Sequence, residues 1–171
     1  MKKIYIIGNG GSGKTTLALF LKNQLDLPHL ELDDIYWDNN QKKAYNVKRG
    51  EEERDALLNH FLQENKNAFV IDGVYEKEWI DPILKEVDKV IILMPNFLLS
   101  EWRCLKRDIL KVFQKEKSGG FLSLYRLLKW NIKYRYKKLP LFIQKLDKEQ
   151  INYQIIKSNN LKHIKQELNL C

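Results

Sequence analysis

Residues 1–20 read MKKIYIIGNGGSGKTTLALF, and the nine residues Gly8-Asn9-Gly10-Gly11-Ser12-Gly13-Lys14-Thr15-Thr16 within them decide the fold. The β-branched and aromatic run from Lys2 to Gly8 predicts a buried strand, and Leu17, Leu21 and Leu25 recur at helical spacing from Lys14 onward. Between strand and helix, Gly8, Gly13, Lys14 and Thr15 satisfy G-x-x-x-x-G-K-[ST] in the setting that the pattern requires. Glycines let backbone N–H groups turn inward around phosphate oxygens, and the start of the following helix adds partial positive charge. Residues 8–16 are therefore expected to cradle the phosphates of ATP. Lys14 would lie on the β- and γ-phosphates, the Thr15 hydroxyl on Mg2+, and Thr16 on a neighbouring phosphate.

Working outward, a second strand is expected from Leu30 to Asp34, and a charged helix from about Val47 to Glu64 with Leu57, Leu58, Phe61 and Leu62 inward. A third strand covers Ala68 to Ile71 and stops at Asp72-Gly73; a short helix from Trp79 to Val87 leads to a fourth strand, Lys89 to Met94, closed by Pro95. Helical pattern then runs from about Leu98 to Lys117 and from Phe121 to Lys138 before Pro140, with Ser118-Gly119-Gly120 as a hinge between. Asn152 to Lys157 reads as a last strand, and Asn159 or Asn160 as the cap of a closing helix to Leu168. Strands alternating with helices imply an α/β fold with a parallel sheet covered on both faces. Asp72 would stand at the carboxyl end of a strand beside the first, where ligands of such sheets collect. It reads either as a second magnesium-holding oxygen or as a turn-forming Asp before Gly.

The chain of 171 residues carries a net charge of +8, and the excess is local. Between Glu101 and Lys148 there are fourteen Lys and Arg against four Asp and Glu. Such a region attracts nucleotide phosphates, nucleic acid or an anionic surface, or is simply a set of solvated basic helix faces. Tyr125, Trp130, Tyr134 and Tyr136 are interleaved with Arg126, Lys129, Lys133, Arg135, Lys137 and Lys138, a composition that also suits stacking on bases. Cys104 and Cys171 are far apart and are expected to be bystanders in a reducing compartment. His29, His60 and His163 suggest no ligand cluster, so no metal beyond nucleotide-bound Mg2+ is expected. With no stretch approaching ~18 apolar residues, a single cytoplasmic domain is expected.

The pieces GNGGSGKTT, HLELDDIYW, FVIDGVY and LMPNFLLSEWRCLKR together resemble the small P-loop kinases related to adenylate kinase. Within these, they are most similar to the DNA topology modulation proteins. The resemblance implies a three-layer P-loop NTPase fold with a five-stranded parallel sheet in the order 2-3-1-4-5. It also implies a mobile helical lid between the fourth and fifth strands, here about residues 98–145. Arginines on the first lid helix of such kinases grip the donor's phosphates, and Arg103 and Arg107 match that place on one helix face. Two solvated helix arginines would look the same in sequence.

The acceptor is read from a departure. Adenylate kinases carry arginines after the Asp-Gly of the third strand and after the second strand, whereas DGVYEKEW and LDDIYWDN contain none. Unless the lid or Val47-Lys48-Arg49 supplies cations, a doubly charged acceptor would be repelled. Asp33 resembles the carboxylate with which shikimate and gluconate kinases orient an acceptor hydroxyl, with Asp34, Tyr36, Trp37 and Tyr75 as further substrate-binding candidates. The alternatives are a helix cap for Asp33-Asp34 and core packing for the aromatics. Two functions stay open: an ATP-dependent phosphotransferase acting on a small hydroxylic or nucleotide-like acceptor, and an ATP-binding regulatory protein associated with nucleic acid.

Overall fold

The computed structural model describes residues 2–38, 47–113, 120–158 and 160–168, with backbone alone at 108–113 and 120–124. Ser118 and Gly119 of the expected hinge, Asn159 and Cys171 lie outside the described residues. Five strands, β1 (Lys3–Gly8), β2 (His29–Glu31), β3 (Phe69–Gly73), β4 (Lys89–Leu93) and β5 (Tyr153–Ile156), form one sheet in the order β2-β3-β1-β4-β5. Every neighbouring pair is parallel. This is the three-layer α/β arrangement expected from the sequence.

Side-chain alternation divides the central strands between two cores. Ile4 and Ile6 of β1, Val70 of β3 and Ile91 and Leu93 of β4 face α1 (Lys14–Leu25) and α8 (Leu161–Glu167), meeting Leu17, Leu21 and Ile164. Tyr5 and Ile7, Ile71, and Val90 and Ile92 face the opposite way, against Leu58 of α3 (Glu51–Glu64), Ile83 of α4 (Asp81–Glu86) and Leu146 of α7 (Leu139–Lys148). Burial on both faces explains why these strands read as continuous apolar runs.

The second strand is shorter than its sequence pattern. It ends at Glu31, and Leu32–Tyr36 forms a one-turn helix, α2, with Asp33 and Asp34 in its first turn. Carboxylates there are favoured by the helix dipole, which outweighs the weak strand propensity of Asp. Glu31 occupies the cap position, so neither Asp is the N-cap. The helix expected from Val47 starts at Glu51, because residues 47–49 run back along the end of α2: Asp38 N–H donates to Val47 O at 2.9 Å and Arg49 N–H to Tyr36 O at 2.9 Å. Leu57, expected inward, is 36% exposed, and Arg54 takes the inward position four residues before Leu58.

A helical segment fills the interval between β4 and β5, with α5 spanning Phe97–Phe113 and α6 spanning Gly120–Lys133. Pro140 does not end it. Residues Tyr134–Lys138 widen into a π-turn, with Leu139 N–H donating to Tyr134 O, and the chain continues as α7 with Pro140 in its first turn. The wider turn accommodates a residue that lacks an N–H and would collide with the carbonyl four residues back. Asn160, rather than its neighbour, caps α8: its side chain accepts from Lys162 N–H at 2.9 Å.

Candidate functional site

The phosphate loop leaves β1 at the carboxyl edge of the sheet, where β1 is flanked by β3 and β4, and closes with Ser12 N–H donating to Asn9 O at 3.2 Å. Gly13 stands at the N-cap of α1 with φ of 92°, a conformation that side chains resist. Gly11 is constrained twice, by φ of 71° and by the start of α5: a Cβ there would lie 2.2 Å from Ser100 O. The following helical segment therefore packs directly on the loop. Cys104 Sγ and Asn131 of α6 would each lie within 3.5 Å of a Cβ on Gly10. These loop-packing residues, Ser100, Cys104 and Asn131, carry no motif and were not legible as neighbours of the loop. Asn9 Nδ2 and Ser12 Oγ are buried and have no hydrogen-bond partner among the described residues, as suits a loop built to bind something further.

Thr15, Asp72 and His29 meet beside the loop. The Thr15 hydroxyl donates to Asp72 Oδ2 at 2.8 Å, and His29 Nε2 lies 2.7 Å from Asp72 Oδ1. Asp72 is fully buried, within β3 rather than in the turn after it. Glu31 is its register partner on β2, and burial, then the charges of Asp72 and Asp33, push the Glu31 carboxyl above its usual range while Lys14 opposes them. Two oxygens from Thr15 and Asp72 suit a small hard cation that completes its shell with phosphate and water. Among the described residues no group of three or more His, Cys, Asp or Glu could hold a metal unaided.

Arg103 and Arg107 of α5 line a cavity of about 350 Å³ together with Lys14, Thr15 and Thr16. Leu161 and Ile164 of α8 add an apolar wall that sequence reading did not anticipate. Loop and helix arginines thus come together. Asp33, Asp34, Tyr36, Trp37 and Tyr75 are not part of that cavity.

They belong to a second cluster. Tyr75 donates its hydroxyl to Asp33 Oδ1 at 2.6 Å, and burial followed by the Asp33 charge raises the phenol well above its ordinary value. Tyr36 packs on Tyr75 with centroids 4.6 Å apart and edge-on to Trp37 at 5.0 Å. Trp79, which sequence reading placed only at a helix start, meets both Tyr36 and Tyr75. Tyr75 and Trp79 also pack against the core, so the two readings of these aromatics are combined. Asp34 is exposed.

The arginines beside this cluster are engaged, and Lys48 Nζ lies 5.7 Å from the centroid of the Tyr36 ring. Arg49 donates from Nε to Ile35 O and pairs with Glu53, so it ties α2 to α3. Arg54, 8% exposed, stacks on Trp79 at 4.7 Å and pairs with Asp55. A buried arginine beside this cluster was not anticipated, since charged residues on a helix ordinarily face water. Glu76 pairs with Lys138 at 2.6 Å. Arg135 donates to Pro95 O at 2.7 Å, and Tyr134 is fully buried. Part of the basic aromatic stretch therefore braces the helical segment against the sheet.

The sheet order and the loop between β1 and α1 define the fold of the P-loop kinases. No family model matches the chain. It is similar to the adenylate kinase of Caldicellulosiruptor saccharolyticus, 24% identical over 141 residues that cover 72% of this chain and 66% of that protein. To the adenylate kinase of Wigglesworthia glossinidia brevipalpis it is 32% identical over 122 residues, 64% of this chain and 58% of the relative. The chain thus spans less than two thirds of these relatives' length. Among solved structures, the shikimate kinase of Acinetobacter baumannii in complex with shikimate matches with a TM-score of 0.62 at 17% identity, covering 99% of this chain and 94% of that one. A sugar kinase from Janibacter matches with a TM-score of 0.56 at 14% identity, covering 100% of this chain and 96% of the other. At such identities the likeness is one of fold. No helix of the described residues is long and apolar enough to cross a membrane.

Proposed function

We propose that the chain transfers the γ-phosphate of ATP, with Mg2+, to a small acceptor carrying a hydroxyl group. The observation that carries this reading is the convergence of Lys14, Thr15 and Thr16 with Arg103 and Arg107 around one cavity. That convergence supplies cations on two sides of a polyphosphate. Thr15 and Asp72 would hold the magnesium, which neutralises phosphate charge when bound. Lys14 offers a further positive charge to the transferring group, and Arg103 and Arg107 close on it from the helical side. The segment from about residue 98 to 145 would act as the lid that excludes water. Asp33, with one oxygen held by Tyr75, would accept the acceptor's proton as the new bond forms.

The acceptor side favours a molecule without a phosphate of its own. Arg49 and Arg54 already pair with Glu53 and Asp55, and Lys138 with Glu76, so much of the positive charge beside this cluster is neutralised, while Lys48 adds an ammonium over the Tyr36 ring. Proteins with this fold include kinases of shikimate and of sugars, and the sequence relatives are kinases of a nucleotide. The decisive experiment is a screen of sugars, hydroxy acids, nucleosides and nucleoside monophosphates for acceptor-dependent conversion of ATP to ADP. A nucleoside monophosphate as the sole acceptor would overturn the preference, and a lack of ATP-dependent thermal stabilisation in the wild type, or its persistence in Lys14→Ala, would overturn the site.

A second reading, an ATP-binding nucleic-acid-associated protein akin to the DNA topology modulation proteins, draws on Tyr125, Arg126, Lys129, Lys133, Tyr136 and Lys137, all exposed along one helical stretch. Binding to DNA or RNA that weakens steeply between ~50 and ~200 mM salt would support it, and no binding at moderate salt would remove it.

A further inference from the structure

We propose that His29 is a positioning residue for the magnesium-holding carboxylate, an inference that rests on the kinase reading above. The Asp72 carboxylate is gripped at both oxygens by groups from different elements: Thr15 of α1 donates to Oδ2 at 2.8 Å, and His29 of β2 lies 2.7 Å from Oδ1. A carboxylate accepts, so His29 Nε2–H is the donor. The Asp72 side chain has no exposed surface and that of His29 is 10% exposed, which shields this bond from competing water.

The strand register places the histidine. His29 pairs with Val70 and Glu31 with Asp72, so His29, Glu31, Val70 and Asp72 share the face of the sheet that α1 covers. A slip of one residue would turn the imidazole to the other face. The two contacts on Asp72 lie on different oxygens, and only one of those oxygens faces Thr15. Thr15 Oγ1 and Asp72 Oδ2 would be the atoms nearest magnesium, held directly or through water, and the Thr15 hydroxyl can go on donating to Oδ2 while a lone pair of its oxygen turns to the ion. The bond to His29 lies on the other oxygen and is left intact. It would fix the carboxylate's rotation with or without the metal, the way outer hydrogen bonds orient metal ligands elsewhere. Without His29, the Asp72 carboxylate would be held through Oδ2 alone.

The test uses the full chain, with ATP as the probe and thermal stabilisation as the readout across a magnesium titration. Wild type, His29→Ala and His29→Gln are compared, glutamine restoring an N–H donor at about the reach of Nε2. Loss of His29 is expected to raise the magnesium concentration for half-maximal stabilisation about tenfold or more, with stabilisation by ATP in EDTA unchanged and glutamine recovering most of the shift. A midpoint in His29→Ala within about twofold of wild type would overturn the proposal, as would equal shifts in both variants. Should His29→Ala fail to fold, His29→Leu, which fills the space without a donor, takes its place: a displaced midpoint that His29→Gln largely restores supports the donor role, and a midpoint within about twofold of wild type sinks it. Wild type that ATP does not stabilise in any magnesium would instead remove the kinase reading itself.

Discussion

Tyr75 and Asp33, 42 residues apart in the chain, share a hydrogen bond of 2.6 Å that ties the end of β3 to the first turn of α2. The same loop is held from beneath, since Tyr5 of β1 donates its hydroxyl to Tyr75 O at 2.7 Å. The proposed base is thereby fixed to the sheet, although it sits on a helix of one turn. Asp33→Asn is expected to leave ATP binding unchanged and reduce turnover by roughly two to four orders of magnitude. Tyr75→Phe, which keeps the packing on Tyr36 and removes only the bond, should lower kcat less than Asp33→Asn does. Steady-state kinetics with the identified acceptor read both; equal activity of Asp33→Asn and wild type would take Asp33 out of the base role.

Arg103 and Arg107 face the loop from α5, one turn apart, and are proposed to act on charge that develops during transfer. Replacing either with Ala should reduce kcat by about a hundredfold or more, by analogy with other arginines that contact a transferring phosphoryl group. Lys at either place should recover little, because an ammonium lacks the planar fork. A pair of variants that alter only ATP affinity would assign the arginines to binding.

Gly11→Ala tests how closely the helical segment rests on the loop. Its methyl group would fall 2.2 Å from Ser100 O, at a backbone φ of 71°. Strain and overpacking together predict a loss of about 2–4 kcal/mol, seen as a drop in Tm of several degrees. Gly13→Ala, with no atom within 4 Å of the added methyl, should cost less. Equal losses would mean that conformation alone matters at both sites.

Asp88 joins the beginnings of β1 and β4. Its Oδ2 accepts the Lys2 N–H at 2.6 Å and the Lys3 N–H at 3.0 Å, and these bonds hold its carboxyl below the usual range. A carboxyl lowered on folding stabilises the native state above its ordinary pKa of 3.8, and that contribution disappears as pH falls through the lower folded value. Asp88→Ala is expected to lower Tm by about 2–4 °C at pH 7, a modest loss because the site is solvent-exposed. The difference from wild type should narrow below pH 4. A gap of constant size from pH 7 to pH 3 would assign the effect to something other than charge.

The sequence by itself determined the parts of this protein that depend on local patterns. The phosphate loop, the bounds of α1, the presence of five strands and a cap at Asn159 or Asn160 follow from glycine placement, apolar periodicity and capping chemistry, each of which acts over a few residues. Even there, one local signal prevailed over another, as when LDDIY wound into a helix with its carboxylates in the first turn and Pro140 was accommodated by the π-turn. Only the tertiary structure decided which distant groups meet: His29 and Thr15 on opposite oxygens of Asp72, Tyr75 on Asp33, Arg54 turned inward onto Trp79, and Ser100 against Gly11. Those pairings depend on strand register and on which faces of the helices are buried. A register error of one residue reverses them without changing any local propensity.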